Sequence, residues 1–290
     1  MSSCEHTCST CNVEDCGKNK SHIAPTYEKN HIKKIIGVVS GKGGVGKSMV
    51  TSLLATSLAK KGYKVGILDS DITGPSIPKA FGVKDGVSGN GKIMNPSISK
   101  HLGIKVMSVN LFIKDPTQPV IWRGPVLNSA IRQFYSEVYW GDLDYLLIDM
   151  PPGTGDVALT VFQLIPVDGV IIVSTPQDLV KMIVGKAVHM CEQMKVNIVG
   201  LVENMSYMEC PCCGNKLYPF GTSQLDTVSK EYNITPIMNL PINPSFTKDV
   251  DNGDVELIDT TFISKITSSV ENFQPDYFKH FESNIANAKK

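Results

Sequence analysis

The chain has 290 residues, of which 42% are hydrophobic, and its 28 Lys and Arg balance its 28 Asp and Glu. This composition is typical of a globular protein with a full-sized core, and the absence of a basic excess disfavours a general nucleic-acid-binding protein. No apolar run reaches the roughly 18 residues of a membrane span, and the polar start is unlike a secretory signal peptide. We therefore expect a cytoplasmic protein that binds neither membranes nor nucleic acid and keeps its eight cysteines reduced.

The first 33 residues are polar and differ in composition from the rest of the chain. They hold Cys4, Cys8, Cys11 and Cys16 among Ser, Asn, Lys, Glu and His residues. With almost no apolar side chains, this segment cannot build a core, so we expect a flexible cysteine-rich tail at 1–33. Four thiols so close together can hold an iron–sulfur cluster or zinc, or act as a transient delivery arm.

From residue 34 onward, short apolar runs alternate with helical stretches, which predicts one domain over 34–290. Strands are expected at 35–39, 65–68, 145–148, 169–173 and 198–202. Helices are expected at 48–61, 126–138, 157–164 and 179–194, a hairpin or loop insertion at 84–110, and one or two helices at 262–286. Nearly continuous apolar strands separated by helices predict a doubly wound α/β fold, with a mostly parallel sheet covered on both faces.

The most informative motif lies between the first strand and the first helix. A glycine-rich loop in this position brings backbone N–H groups close to phosphate oxygens at a helix N-terminus. Lys47 would reach the β- and γ-phosphates, and the Ser48 hydroxyl would bind Mg²⁺. The predicted nucleotide-binding residues of this loop are Gly41, Lys42, Gly43, Gly44, Val45, Gly46, Lys47, Ser48 and Met49.

Acidic residues follow two of the predicted strands. Asp69 and Asp71 come after the second strand, and Asp149 ends the strand at 145–148. Because open α/β sheets bind ligands at the carboxyl ends of their strands, we expect all three at the nucleotide. Asp149 would hold Mg²⁺ through water, Asp69 would support Mg²⁺ or the loop lysine, and Asp71 would position the attacking water. A loop hinged at Gly153 follows Asp149 and would respond to the γ-phosphate.

Two further positions are candidates for the base pocket. Asn204 follows the strand at 198–202 and would contact the adenine edge. The segment at 241–243, which begins with Pro241, would form the other wall of this pocket or a structural turn.

Three cysteines lie within four residues, at Cys210, Cys212 and Cys213. The C-x-x-C pair of Cys210 and Cys213 can present two thiolates to one soft metal centre, but a complete site needs more ligands than this segment contains. The tail or the same pair of a second subunit would complete it, and two such pairs on a two-fold axis supply the four thiolates of one [4Fe–4S] cluster. A redox dithiol and a zinc site are the alternatives. Cys191 is expected in the core.

Several of these motifs occur together in one family. Lys42, in addition to Lys47, resembles the deviant Walker A motif of the MinD and ParA ATPases. The segments at 68–78, 122–125, 149–156, 174–177 and 203–206 and the C-x-x-C pair resemble the Mrp/ApbC (Nbp-type) iron–sulfur carrier ATPases, from about residue 33 to 270. Asn243, where we would expect aspartate, the additional Cys212 and the spacing of the amino-terminal cysteines depart from that pattern.

The resemblance implies an ATP-dependent iron–sulfur cluster carrier or assembly scaffold. It implies a homodimer that hydrolyses ATP slowly, carries a labile [4Fe–4S] cluster on Cys210 and Cys213 of both subunits, and works with apo iron–sulfur proteins and cluster-assembly scaffolds. Lys42 would reach the nucleotide of the partner subunit, and Lys42, Lys47 and Asp71 would be the catalytic residues. The alternatives are a MinD/ParA-like positioning ATPase and an ATP-coupled electron donor resembling nitrogenase iron protein.

Overall fold

The computed structural model describes residues 23–71, 76–83, 86–89, 91–112, 124–177 and 179–275. The strands in these ranges are β1 His31–Val39, β2 Val65–Asp69, β3 Ser88–Gly89, β4 Met94–Asn95, β5 Ser97–Ile98, β6 Lys105–Ser108, β7 Asp142–Asp149, β8 Gly169–Ser174, β9 Asn197–Glu209, β10 Lys216–Leu217 and β11 Pro236–Pro241. The helices are α1 Lys47–Lys60, α2 Ser76–Ala80, α3 Gly124–Ser136, α4 Asp156–Leu164, α5 Val180–Met194, α6 Leu225–Tyr232, α7 Pro244–Asn252 and α8 Ser264–Asn272. Short 3₁₀ turns lie at Val109–Phe112, Val255–Leu257 and Thr261–Ile263.

One sheet dominates the fold, in the order β10-β9-β8-β1-β7-β2-β6-β5, with β11 also paired to β9. Every pair between β8 and β6 is parallel, as are the pairs of β9 with β8 and β11, while β5 and β10 run antiparallel to their neighbours. The parallel strands therefore end at the same edge of the sheet. The predicted doubly wound, mostly parallel α/β fold is confirmed.

The strands bury side chains on both faces of the sheet, which explains their nearly continuous apolar sequence. Along β1, Ile35 and Val39 belong to the core under α3, α4, α5 and α6, whereas Ile36 and Val38 belong to the core under α1, α2 and α8. This alternation is the two-residue period of a strand. Because helices cover both faces, the loops that follow the parallel strands meet at the carboxyl edge of the sheet.

The packed part of the chain begins before the predicted boundary at residue 33. Ala24 is buried, and its N–H donates to the carbonyl oxygen of Leu164 at 2.8 Å. Asn30 is also buried; its amide donates to Val138 O at 2.9 Å and accepts from the N–H of Gly141 at 2.9 Å. A buried asparagine with both amide groups bonded ties this segment to the domain, a contact that polar composition does not reveal.

Other elements differ from the sequence prediction mainly in length. The predicted strand at 198–202 lies in the first half of β9, which continues to Glu209. The segment at 84–110 contains the antiparallel pair β3 and β4, but it also supplies β5 and β6 to the main sheet. At the carboxyl end α8 spans Ser264–Asn272, and residues 276–290 lie outside the described part. Among the described residues, no helix combines the length and the apolar character that crossing a bilayer requires.

The central strands should dominate the free energy of unfolding. Ile67 on β2 is fully buried, so we expect Ile67→Ala to cost about 2–5 kcal/mol because it leaves a cavity in a close-packed core. Leu257→Ala is the control, since Leu257 is 62% exposed, and we expect a change within about 0.5 kcal/mol. Urea unfolding of the nucleotide-free protein measures both; equal costs would contradict this account of the core.

Candidate active site

The glycine-rich loop lies between the end of β1 and the start of α1, at the carboxyl edge of the sheet. It borders a cavity of about 390 Å³. The cavity is lined by loop residues 42–48 together with Ser40, Met49, Ser52, Asp71, Ser76, Ala80, Pro152 and Val250. The predicted phosphate loop therefore forms a concave site that also includes one of the predicted carboxylates.

Two glycines of the loop are required by their surroundings. Gly46 has φ +80° at the N-cap of α1, and a Cβ there would collide with the side-chain amide nitrogen of Asn204. A Cβ on Gly41 would collide with the carbonyl oxygen and Cγ2 of Ile183 on α5. The loop therefore lies directly against β9 and α5, and side chains at these positions would displace it.

Lys47 and Asp149 form a buried ion pair at the floor of the cavity. The Nζ of Lys47 lies 2.8 Å from Oδ1 of Asp149 and 3.6 Å from Oδ2 of Asp71, with Lys47 5% and Asp149 0% exposed. Ser48 donates to Asp149 Oδ2 at 2.6 Å, and the hydroxyl of Thr51 lies 3.0 Å from Oδ1. Such full hydrogen bonding is what a buried carboxylate needs.

Asp69 lies beside Asp149, because β2 and β7 pair in parallel with these two residues opposite each other. It accepts from the Ser108 hydroxyl at 2.8 Å and from the N–H of Asp71 at 3.1 Å. Burial, followed by repulsion from Asp149, raises the pKa of Asp69 well above its usual range. The hydrogen-bond and ion-pair partners of the loop lysine are thus Asp149 and Asp71 rather than Asp69.

The donor set near Ser48 fits Mg²⁺. The hydroxyl of Ser48, which lines the phosphate cavity, donates to the buried carboxylate of Asp149. Together they form a pair of hard oxygen groups, the ligand type that Mg²⁺ prefers. The loop hinged at Gly153 is close by, since the N–H of Gly153 donates to Ser40 O at 2.9 Å and Pro152 lines the cavity. The structure therefore brings together the glycine-rich loop, the residues predicted to bind Mg²⁺ and the loop predicted to respond to the γ-phosphate.

Lys42 extends towards the start of α5 rather than towards Asp149. Its ammonium donates to the side-chain oxygen of Gln177, and it also lines the phosphate cavity. In the single chain, Gln177 thus holds the early lysine of the motif. The sequence analysis did not assign Gln177, although it belongs to the segment at 174–177 that carries part of the family resemblance.

A second cavity, of about 780 Å³, adjoins the phosphate loop and contains both predicted base-pocket residues. Asn204 donates from Nδ2 to Val45 O at 2.9 Å, and Pro241 lies on the same cavity. Gly46 and Met49 border this cavity and the phosphate cavity alike, so the two cavities adjoin each other. Asn243 caps α7 by accepting from the N–H of Ser245 at 3.0 Å, a role that asparagine and aspartate fill equally well.

The three clustered cysteines form the turn of a hairpin. β10 pairs antiparallel with the end of β9, and the turn is closed by Cys210 N to Asn215 O at 2.9 Å and Gly214 N to Cys210 O at 2.8 Å. Cys210 is half-buried, whereas Cys212 and Cys213 are exposed. The segment at 205–220, predicted as a metal-binding loop, thus contains the end of β9, an exposed turn and the short strand β10.

The thiols of this hairpin differ from the core cysteine. The backbone N–H groups of Cys212 and Cys213 point at the sulfur of Cys210 and lower the pKa of its thiol, and the Cys213 side chain adds to this effect. Burial instead raises the pKa of the Cys191 thiol to about 12, which agrees with its predicted place in the core. The fold therefore favours the thiolate form of Cys210, and the thiolate is the form in which a cysteine binds metals.

Within the described ranges, no group of three or more His, Cys, Asp or Glu side chains is arranged to hold a metal ion. The hairpin supplies two C-x-x-C thiols, whereas the cluster predicted from the sequence needs four thiolates. Cys4, Cys8, Cys11 and Cys16 lie outside the described residues, as do 72–75 and 121–123. The metal binding predicted for the four cysteines therefore stays a prediction.

Comparisons with known proteins decide the family. The family model described as ParA, NUBPL iron-transfer P-loop NTPase, matches residues 31–274. The chain belongs to this family. It is 48% identical over 233 residues to the iron-sulfur cluster carrier protein of Clostridium perfringens, covering 78% of this chain and 82% of the relative. It is 43% identical over 252 residues to the protein of that name from Methanocaldococcus jannaschii, covering 84% and 86%.

Solved structures agree with this membership in the iron-transfer NTPases. The nucleotide-binding protein of Archaeoglobus fulgidus in complex with ADP is 45% identical, with a TM-score of 0.70, covering 79% of this chain and 89% of that one. The MinD cell division protein of Aquifex aeolicus is 21% identical, with a TM-score of 0.56, covering 82% and 95%. The MinD likeness concerns the fold alone. This nucleotide-binding P-loop NTPase family is the one indicated by the motifs.

Sequence reasoning missed Thr51 as well as Gln177. Thr51 lies one helical turn after Lys47 on α1, and this i, i+4 spacing places its hydroxyl on the same side of the helix. That spacing was a usable signal. For Gln177 the resemblance of the segment at 174–177 was the available signal, but it did not reveal the contact with Lys42, which joins residues 135 positions apart.

The close approach of Gly41 to α5 predicts a selective loss of stability. We expect Gly41→Ala to lower the free energy of unfolding by about 1–3 kcal/mol, since the new methyl group overlaps the Ile183 backbone. Gly43→Ala is the matched control in the same loop, because the nearest atom to its Cβ is 3.8 Å away. Chemical denaturation without nucleotide compares them, and equal stabilities would show that α5 does not confine the loop.

The raised pKa of Asp69 predicts a pH dependence of stability. The unfolded chain releases this proton near pH 3.9, whereas the folded protein retains it to higher pH, so the parent loses stability as the pH rises between the two values. Asp69→Asn removes this loss, and the rotatable hydroxyl of Ser108 can accept from the new amide. We expect the variant to gain stability relative to the parent as the pH rises above about 4. A pH-independent difference in unfolding free energy would contradict the assignment.

Proposed function

We propose that the protein is an ATP-dependent iron–sulfur cluster carrier that binds a [4Fe–4S] cluster, hydrolyses ATP slowly and transfers the cluster to apo-proteins. The observation that carries the proposal is the course of β9. Asn204 in this strand contacts the phosphate loop, and the same strand leads directly into Cys210. The names of the relatives support the choice of cargo.

ATP would bind along the two adjoining cavities. The N-terminus of α1 and the loop N–H groups receive the phosphates, and Lys47 is already fixed in place by Asp149. The adenine would occupy the cavity that contains Asn204 and Pro241. Mg²⁺, held by Ser48 and through water by Asp149, would neutralise charge on the β- and γ-phosphates.

Asp71 would orient the attacking water. It lines the phosphate cavity, and its carboxylate lies 3.6 Å from the Lys47 ammonium. A carboxylate at this point can accept a hydrogen bond from water near the γ-phosphate. The loss of the γ-phosphate would then change the conformation of the adjoining loop at Gly153. The N–H of Gly153 donates to Ser40 O, next to the glycine-rich loop.

The cargo would be bound between two copies of the chain. Cys210 and Cys213 supply two thiolates at an exposed turn, and a [4Fe–4S] cluster takes four. A symmetric homodimer with the two hairpins at its axis completes the set. The same arrangement would bring Lys42 of each subunit to the nucleotide of the other, after it leaves Gln177. Apo iron–sulfur proteins and cluster-assembly scaffolds would exchange the cluster at this exposed turn, and zinc can occupy the thiols of isolated protein.

Anaerobic reconstitution with iron and sulfide tests the cargo. We expect about one [4Fe–4S] cluster per dimer in the parent, and its loss in Cys210→Ala and Cys213→Ala, because each change removes two of the four thiolates. Cys212→Ala is the matched control from the same turn and should keep the cluster. Iron and sulfide analysis with gel filtration measures both quantities; full iron loading of either C-x-x-C variant would overturn the bridging site.

Mixing two inactive variants tests whether Lys42 acts across the dimer. Lys42→Ala and Asp71→Asn should each abolish most ATP hydrolysis when alone. In a mixed dimer, one of the two nucleotide sites would contain an intact Asp71 and the intact Lys42 of the other subunit. We therefore expect each mixed dimer to show up to about half of the ATPase activity of a parent dimer. No recovery would place Lys42 at its own nucleotide, and an active Asp71→Asn homodimer would contradict the role of Asp71.

A further inference from the structure

We propose that Phe220, in the segment that returns from the cysteine hairpin, stacks on the nucleotide base and makes the cysteine turn sensitive to nucleotide occupancy. This inference rests on the proposed function, because it assumes that the cavity beside the phosphate loop takes the base of ATP.

The position of Phe220 is the first argument. Its side chain lines the 780 Å³ cavity together with Gly46, Asn204, Met205 and Pro241. These neighbours include the end of the phosphate loop and both residues predicted to contact adenine. Phe220 thus faces the same space as the base-pocket residues, although it lies only seven positions after Cys213 and belongs to no helix or strand.

The exposure of Phe220 is the second argument. The ring is 42% exposed, so a large apolar surface is left in contact with water at the mouth of an apolar cavity. Stacking between an aromatic ring and a purine removes both faces from water and is favourable for every base. Leu217 and Tyr218, which precede it, are exposed to a similar degree but do not line the cavity. The segment therefore presents one of its three exposed apolar side chains to the base site.

The segment around Phe220 is anchored at both ends. On one side, Lys216 and Leu217 pair with Glu209 and Met208 of β9. On the other side, the N–H of Gln224 donates to the carboxylate of Glu203 at 2.8 Å. Glu203 is buried, and its second oxygen accepts from Ser206 at 2.7 Å, so this anchor is rigid.

A base held between Phe220 and the opposite wall would consequently restrain the hairpin. The span from the β10 pairing to the Gln224 anchor is short, so fixing the ring of Phe220 limits the freedom of β10, the strand that leaves the cysteine turn. Phe220 is then a nucleotide-binding residue and, through β10, a positioning residue for Cys210 and Cys213. Nucleotide occupancy would then reach the thiols without passing through the loop at Gly153.

Binding measurements test the contact with the base. We expect Phe220→Ala to weaken ATP binding on the order of tenfold and to leave tripolyphosphate binding unchanged, both measured calorimetrically with Mg²⁺. Phe220→Tyr keeps the ring and should bind ATP like the parent. Tyr218→Ala is the matched control, an exposed aromatic of the same segment outside the cavity, and should also bind like the parent. Equal ATP affinity in Phe220→Ala and the parent would overturn the contact.

Thiol accessibility tests the coupling. In the metal-free full chain, we expect ATP to slow the alkylation of Cys210 and Cys213 by N-ethylmaleimide at fixed pH, followed by mass spectrometry of peptides. At ATP concentrations that saturate each protein, Phe220→Ala should lose this protection while Tyr218→Ala keeps it. Equal protection in Phe220→Ala and the parent would overturn the positioning role.

The two levels of failure are distinguishable. A parent protein that binds neither ATP nor tripolyphosphate would contradict the proposed function itself. A parent that binds ATP tightly, with Phe220→Ala indistinguishable from it in both measurements, would leave the proposed function intact and overturn only the inference about Phe220.

Discussion

The buried ion pair of Lys47 and Asp149 is the interaction on which the site depends. It joins the first helix to the end of β7, and both partners are almost completely removed from water. Removing one partner of such a pair typically costs about 3–5 kcal/mol because the other charge stays buried. Ser48 and Thr51 complete the hydrogen bonding of the carboxylate, so the cavity is organised before any phosphate arrives.

The second constraint is the length of β9. Most strands of the sheet end at its carboxyl edge, but β9 continues past Asn204 and carries the chain into the hairpin at Cys210. Hydrogen bonds along the strand to β8, β11 and β10 make it a rigid connection. The proposed nucleotide and cluster sites are therefore parts of one element, which gives a physical basis for coupling them.

The sequence predicted much of this arrangement, and the reasons are local. The phosphate loop, the carboxylates after β2 and β7 and the cysteine turn are motifs in which neighbouring residues define the chemistry. The partner of Lys47 was harder to predict, because three acidic residues lie at or just after the ends of two adjacent strands. Only the packing shows that Asp149 pairs with the lysine while Asp69 accepts from Ser108. The packing of residues 24–33 was missed, since Asn30 and Ala24 gain their contacts from distant segments.

The sequence by itself determined the doubly wound sheet, the glycine-rich loop and the pair of thiols at Cys210 and Cys213, because periodicity and short motifs depend on residues close together in the chain. Only the tertiary structure decided that Gln177 holds Lys42, that Gly41 lies against α5, and that Phe220 shares a cavity with Asn204. Each of these contacts joins segments separated along the chain. Their distances depend on how helices and strands pack across the sheet, which no local pattern encodes.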